Sequence, residues 1–215
     1  MKNILIADDH SIVRLGASVI IKETLPTATI LQAQTYDEVY ATLNNSPIDL
    51  ILLDINMPGG NNINVIKKIL SILPSIKILV FSSYEENLYA LRYIGAGAAG
   101  YLNKNTAMSE LKNAIQSIES RGKYMSDTVN ELYVQKITSS KASFNENNPL
   151  FQLSNREMDV AKHLIKGLGI LEVANLMGLS SSTVSTYKSR IFEKLNINNI
   201  PELIEIYKLH TGDFQ

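Results

Sequence analysis

The sequence predicts two domains of different class: an α/β domain on a doubly wound, five-stranded parallel sheet, then an all-α domain of four helices containing a helix-turn-helix. Three observations carry this reading. Short apolar runs alternate with helical patterns over the first 120 residues, the signature of successive βαβ units. The polar stretch Thr138–Pro149 (TSSKASFNENNP) has linker composition. From Ser154 onward only helical periodicity is found. The expected domains are therefore 1–120 and 149–215, with 121–148 as a linker.

In the first domain, Ile4–Ala7 reads as a strand, and Ser11–Thr24 as a helix with Ile12, Leu15, Val19 and Ile20 at helical spacing. Thr29–Ala33 is the second strand and Tyr36–Leu43 the second helix. Asp49–Leu53 is a nearly continuous apolar run, as expected of a strand buried on both faces. A helix over Ile63–Leu73, a strand over Lys77–Phe81 and a helix over Glu85–Ile94 ending at Gly95 follow. Ala99–Leu102 and Met108–Glu119 supply the last strand and helix of the alternation, and Ser126–Lys136 is compatible with one more short helix.

In the second domain, Ser154 followed three residues later by Glu157 is a capping-box signature, opening a helix that runs to about Lys166. Leu171–Met177 is closed by Gly178, Ser180 or Ser181 caps a helix over Thr183–Leu195, and Pro201 suits the first turn of a fourth helix.

A chain of 215 residues is long enough to bury two cores. Its net charge of -1 means that any basic surface must be local. With no cysteine, disulfides and thiol catalysis are excluded. No run approaches the roughly 20 apolar residues that span a bilayer, and the opening MKNILIADDH lacks the longer apolar core of a secretory signal. A cytoplasmic location, with no membrane partner, is expected.

In a doubly wound sheet, ligands bind beyond the C-terminal ends of the strands. Asp8 and Asp9 follow the first strand, Asp54 the third, Ser82 and Ser83 the fourth, and Lys104 the fifth. Clustered carboxylates repel one another, and a hard divalent cation such as Mg²⁺ relieves this. A carboxylate is also a competent nucleophile toward phosphorus. A hydroxyl and an ammonium on neighbouring strands can then hold the new phosphoryl oxygens. The spacing thus suggests phosphoryl transfer onto an aspartate. Any one of these acids alone reads as a helix cap or turn residue; the set at successive strand ends does not.

The segments Ile4–His10 (ILIADDH), Leu52–Gly59 (LLDINMPG), Val80–Ser83 (VFSS) and Gly97–Lys104 (GAAGYLNK) resemble the receiver domains of two-component response regulators. The resemblance implies that Asp54 accepts phosphate from a sensor histidine kinase. It also implies that Asp8 and Asp9 hold Mg²⁺ together with Asp54 and the backbone carbonyl of Asn56. Ser82 takes the place of the switch hydroxyl, Lys104 of the phosphate-binding lysine and Tyr101 of the switch aromatic. One departure is Asn62, where the family normally has Gly; Asn is the next best residue for a left-handed turn. His10, beside the acids, reads as a partly exposed loop residue and not as a ligand.

On the helix Thr183–Leu195, Val184, Ile191 and Leu195 form an apolar stripe, and Ser185, Thr186, Lys188, Ser189 and Arg190 lie off it. Small polar and basic side chains suit a major-groove reader, and Lys188, Arg190 and Lys194 face only Glu193. From charge alone, a solvated helix face is the better reading. However, LSNREMDVAKHLIKGL with EVANLMGLSSSTVSTYKSRIFEKLNI resembles the LuxR-type helix-turn-helix of the NarL/FixJ class. TVSTYKSRIFEKL resembles the branch that includes BvgA and EvgA. The resemblance implies that Ser185, Thr186 and Ser189 face bases in double-stranded DNA. Thr183, Tyr187, Lys188 and Arg190 are expected at the phosphate backbone or groove wall. Where this class has Ser-Asn-Lys after Gly-Leu, this chain has Gly169, Ile170 and Leu171. That loses a cap and a phosphate-contacting cation and suggests a protein contact instead.

The expected function is a transcription factor controlled by phosphorylation of Asp54, forming a homodimer through the region of the fourth and fifth strands. It is not expected to be an enzyme. Asp54 with Asn56 also resembles aspartyl-phosphate phosphohydrolases, but their nucleophile follows the first strand. A degenerate receiver acting by protein contact alone would not need the complete set Asp8, Asp9, Asp54, Ser82 and Lys104.

Overall fold

The structure, a computed structural model, describes residues 2–57, 63–138 and 148–211, and the chain separates into two compact units, 1–142 and 143–215. In the first unit, β1 (Asn3–Ala7), β2 (Thr29–Ala33), β3 (Leu50–Leu53), β4 (Lys77–Ser82) and β5 (Gly100–Asn103) form one sheet of order β2-β1-β3-β4-β5. Every pairing is parallel. The helices are α1 (Ser11–Thr24), α2 (Tyr36–Asn45), α3 (Asn64–Ile72), α4 (Glu86–Gly95), α5 (Met108–Arg121) and α6 (Asp127–Thr138). The expected strands and helices form with ends shifted by at most two residues. All of β3 is buried, as its unbroken apolar run predicts for a central strand. The winding reverses between β1 and β3, which opens a crevice at their C-terminal ends. Asp49, expected in β3, lies just before it, and its carboxylate accepts the backbone N–H groups of Lys2 and Asn3 at 2.6 and 2.9 Å. Those bonds hold its pKa below the ordinary carboxylate range.

Two features of this unit go beyond what periodicity gives. The apolar residues of α1 are not all core: Ile12, Leu15 and Val19 are 73, 60 and 51% exposed, whereas Arg14, Ala17, Ile20 and Ile21 face the sheet. Arg14 is tolerated inside because its guanidinium donates to Asp8 O at 2.7 Å and Gln32 Oε1 at 3.0 Å. The segment 121–148, expected as a linker with a short helix in it, is packed onto the first unit over its described part. Tyr124 N donates to Ala99 O at 2.8 Å, and a β-carbon on Gly100 would stand 2.9 Å from Tyr124 O, so the chain leaving α5 is pressed onto β5. Helix α6 packs against α4 with Val129 fully buried. The polar composition from Thr138 marks the segment's end, where most of it lies outside the described residues, as does Asn62.

The second unit begins with a 3₁₀ turn, Pro149–Gln152, that periodicity did not reveal, and continues with α7 (Asn155–Ile165), α8 (Ile170–Met177), α9 (Ser181–Leu195) and α10 (Ile200–Thr211). The capping box at Ser154 forms as expected: Glu157 N donates to Ser154 Oγ at 3.2 Å and Ser154 N to Glu157 Oε2 at 2.7 Å. Gly178, at φ +64°, closes α8 in the left-handed region. Ser180, and not Ser181, caps α9 by accepting from Thr183 N at 3.2 Å.

Candidate functional sites

The β1–β3 crevice collects the expected acids. Asp8 and Asp54 are 2 and 3% exposed, and Asp9 lies further out. Asp54 is held by its own chain: its N–H donates to Ala7 O at 2.8 Å and its Oδ1 accepts Asn56 N at 3.1 Å. From the end of β5, Lys104 Nζ reaches both buried acids, 2.8 Å from Asp54 Oδ2 and 2.6 Å from Asp8 Oδ2. Buried Asp8 Oδ2 receives no hydrogen bond of normal geometry, so the ammonium meets it as a charge pair. Burial, with Asp8 adding to it, raises the Asp54 carboxyl above the usual carboxylate range despite Lys104. Burial opposes the Lys104 charge, but Asp54 and Asp8 outweigh it and hold the ammonium above its ordinary value.

His10 is exposed, as expected, yet its ring faces the acids: Nδ1 is 2.8 Å from Asp9 Oδ1 and 3.2 Å from Asp8 Oδ1. One potential ligand atom from each of Asp8, Asp9, His10 and Asp54 falls within 4.8 Å of the others. Hard carboxylate oxygens with one oxygen short of hydrogen bonds fit a hard divalent cation.

Ser82, at the end of β4, and Tyr101, in β5, are fully buried. Ser82 Oγ accepts Tyr84 N at 3.3 Å, Tyr101 donates its hydroxyl to Tyr84 O at 2.9 Å, and Tyr84 OH lies 3.4 Å from Asn56 Oδ1. Sequence reasoning missed Tyr84, Arg14 and Tyr36, whose hydroxyl donates to Asp54 O at 3.1 Å. The signals were weak: a cation inside an apolar helix stripe, and tyrosines near strand ends.

In the second unit, Thr186, Ser189 and Arg190 are the exposed members of the expected α9 set. Ser185 and Lys188 are half-buried on one flank, Thr183 and Tyr187 on the other. Lys188 Nζ stands 5.3 Å from the centre of the Phe192 ring. The hydroxyls of Thr186 and Ser189 donate to the carbonyls of Ser182 and Ser185 at 3.0 and 3.1 Å. The expected basic stripe is thinner than its sequence, because Lys194 Nζ pairs with buried Glu157 Oε2 at 2.6 Å. Burial opposes the Glu157 charge, but the bonds from Lys194 and Ser154 N outweigh it and lower its pKa below 4.5. A lowered folded-state pKa stabilises the fold above the unfolded value and is lost as pH falls through the folded one. The second unit should therefore lose this contribution to stability as pH falls below the ordinary glutamate range. Glu157→Gln should flatten that limb of a urea-midpoint series across pH; an unchanged limb would remove the pair's role. At α8, Glu172 Oε2 accepts Gly169 N at 2.6 Å, replacing part of the lost cap, and Leu171 is 67% exposed.

No helix among the described residues is long and apolar enough to cross a membrane. The model of the response regulator receiver domain matches residues 4–116, and that of the bacterial regulatory proteins of the luxR family matches 152–207. The chain is 34% identical over 209 residues to the Fimbriae Z protein of Escherichia coli K12, covering 97% of each chain. It is 30% identical to the response regulator UvrY of the same organism, covering 98% of this chain and 95% of UvrY. RcsB from Salmonella enterica serovar Typhimurium, bound to promoter DNA with the phosphomimetic BeF3⁻, has the same fold: TM-score 0.59, 23% identity, 96% of this chain and 97% of that one. The sheet with its acidic crevice, the helix-turn-helix and these matches together place the chain among the two-component response regulators, as a transcriptional regulator with a receiver domain and a LuxR-type DNA-binding domain.

Proposed function

We propose that Asp54 is the phosphoacceptor, that a sensor histidine kinase supplies the phosphoryl group, and that acylphosphate formation controls DNA binding by α9. The carrying observation is that Asp54 sits at the β1–β3 switch point within reach of both Lys104 and the Asp8–Asp9 pair. An Asp54 carboxylate oxygen attacks phosphorus; the new O–P bond forms as the N–P bond to the kinase imidazole breaks, and its electron pair leaves on nitrogen. Mg²⁺, held by Asp8, Asp9, Asp54 and the Asn56 carbonyl, would neutralise charge on the transferring group. Lys104 moves from the carboxylates to a phosphoryl oxygen, and the Ser82 hydroxyl donates to another. Ser82 and Tyr101 both bond to Tyr84, so taking up Ser82 disturbs the β4–α4 loop and the fifth strand with it. A cytoplasmic location follows from this partner.

On α9, Thr186 and Ser189 spend their protons on the helix backbone and so offer acceptor lone pairs to the amino groups of adenine or cytosine. Ser185 is placed for a base at the groove edge. Arg190, Lys188, Thr183 and Tyr187 serve the phosphates and groove walls. Thr186→Ala or Ser189→Ala should change the preferred sequence, with about 1 kcal/mol or less lost per hydroxyl. Arg190→Ala or Lys188→Ala should weaken binding to all duplexes and flatten the salt slope by about one unit. Gel shifts on specific and random duplexes across salt concentrations separate these; wild-type behaviour in all four variants would reduce the face to a solvated helix.

Homodimerisation on phosphorylation doubles the DNA contacts without improving either one. Exposed Ile12, Leu15 and Val19 of α1 beside exposed Met108 of α5 support an apolar contact between copies there, in addition to the β4–β5 region.

A further inference from the structure

We propose that Tyr36 is a positioning residue for the reaction at Asp54, an inference that rests on Asp54 being the acceptor. Tyr36 is 1% exposed and opens α2, whose N-cap Thr35 accepts Glu38 N. Its hydroxyl donates to the backbone carbonyl of Asp54 at 3.1 Å. The Asp54 N–H is already fixed by Ala7 O at 2.8 Å, so Tyr36 supplies the second restraint on the acceptor's backbone. That peptide leads through Ile55 to Asn56, whose N–H bonds to Asp54 Oδ1. A tilt of the peptide therefore moves both the nucleophile and the segment that completes the metal site. The ring cannot swing outward freely: it stacks on Tyr40 at 6.4 Å, and Lys68 Nζ covers Tyr40 at 3.7 Å. A carbonyl oxygen can only accept, so the phenol is a committed donor in this bond.

Tyr36→Phe keeps the ring and deletes only the hydrogen bond. Residues supporting a metal site from behind typically change affinity or rate by about 10- to 100-fold, and about tenfold is expected here. Mg²⁺ affinity by calorimetry and the rate of phosphoryl uptake from acetyl phosphate are to be measured, well below the melting temperature. Val39→Ala, in the buried face of the same helix, is the control for lost stability. The expected result is a fall in both quantities for Tyr36→Phe and neither for Val39→Ala. Wild-type values in Tyr36→Phe, or equal losses in both variants, would overturn the assignment. A wild-type protein that takes up no phosphoryl group would instead overturn the acceptor reading beneath it.

A separate set of bonds carries a second inference: we infer that Glu86 latches α6 to the signalling end of the sheet. Glu86, in the first turn of α4, accepts Asn103 N through Oε1 at 3.2 Å and the Ser126 hydroxyl through Oε2 at 2.6 Å. Ser126 in turn accepts Val129 N at 3.3 Å and so caps α6. Asn103 is bonded through its side chain to Tyr84 O at 2.9 Å, the carbonyl that Tyr101 also uses, and it precedes Lys104. One carboxylate therefore joins the residues that respond to a phosphoryl group to the last helix before the segment leading to the second unit. Drawing Lys104 and Ser82 toward a phosphoryl group pulls Asn103 from Glu86, weakens the cap and releases α6. Hydrogen exchange of α6 in the full chain tests this, with intact mass confirming acetyl-phosphate labelling. Exchange in wild type should speed up on phosphorylation. In Ser126→Ala it should already be severalfold faster and respond no further. Equal α6 exchange in Ser126→Ala and wild type, or no response in phosphorylated wild type, would overturn the latch.

Discussion

Asp54→Ala, incubated with Mg²⁺ and acetyl phosphate, should gain no phosphoryl group, while wild type gains one that mild base removes. The loss is expected to be complete because the other acids are poorly placed to substitute. Asp8 is committed to Lys104 and the backbone N–H of His10. The Asp9 side chain is 34% exposed and faces the His10 ring. Asp54 is buried at the end of the central strand β3, with its carbonyl, N–H and one carboxylate oxygen all fixed. Intact-mass measurement decides the matter, and equal labelling of the variant would refute the assignment.

Lys104→Ala should destabilise the first unit strongly in metal-free buffer. The ammonium lies between two carboxylates that are 2 and 3% exposed. Removing it leaves like charges facing each other in a low-dielectric crevice. Breaking a buried pair costs about 3–5 kcal/mol, and the lower end applies because the lysine side chain keeps 13% of its exposure. Saturating Mg²⁺ should restore much of this loss by replacing the missing cation. The measurement is urea unfolding of the variant and wild type in EDTA and in Mg²⁺. Equal stability in EDTA would mean that the ion triad contributes nothing. The same triad revises a simpler expectation, that neutralising any of the acids would stabilise the metal-free protein. Relief of repulsion is expected for Asp9→Ala alone, since Asp8 and Asp54 already have a counter-charge.

Most of the fold was legible because parallel strands buried on both faces leave unbroken apolar runs, as in Leu50–Leu53. The acids were legible because strand ends fix their place in a doubly wound sheet. What escaped was set by tertiary contact. Periodicity placed Ile12, Leu15 and Val19 on a helix but could not tell that Arg14 would turn inward to reach Asp8 O. It could place a helix near 126–136 but not show that Val129 buries it against α4. Local charge counted Lys194 toward the basic stripe, whereas a capping-box glutamate 37 residues earlier takes it. Tyr36 gave only a weak signal, since a tyrosine at a helix start has no pattern that points to a distant carbonyl.

The central claim is that phosphorylation of Asp54 controls DNA binding by the second unit. Genome-wide mapping of bound sites, comparing wild type with Asp54→Ala at equal protein levels, tests it most directly. The account predicts a defined set of promoter sites occupied by wild type and strongly depleted in the variant. Identical occupancy at the same sites would contradict it.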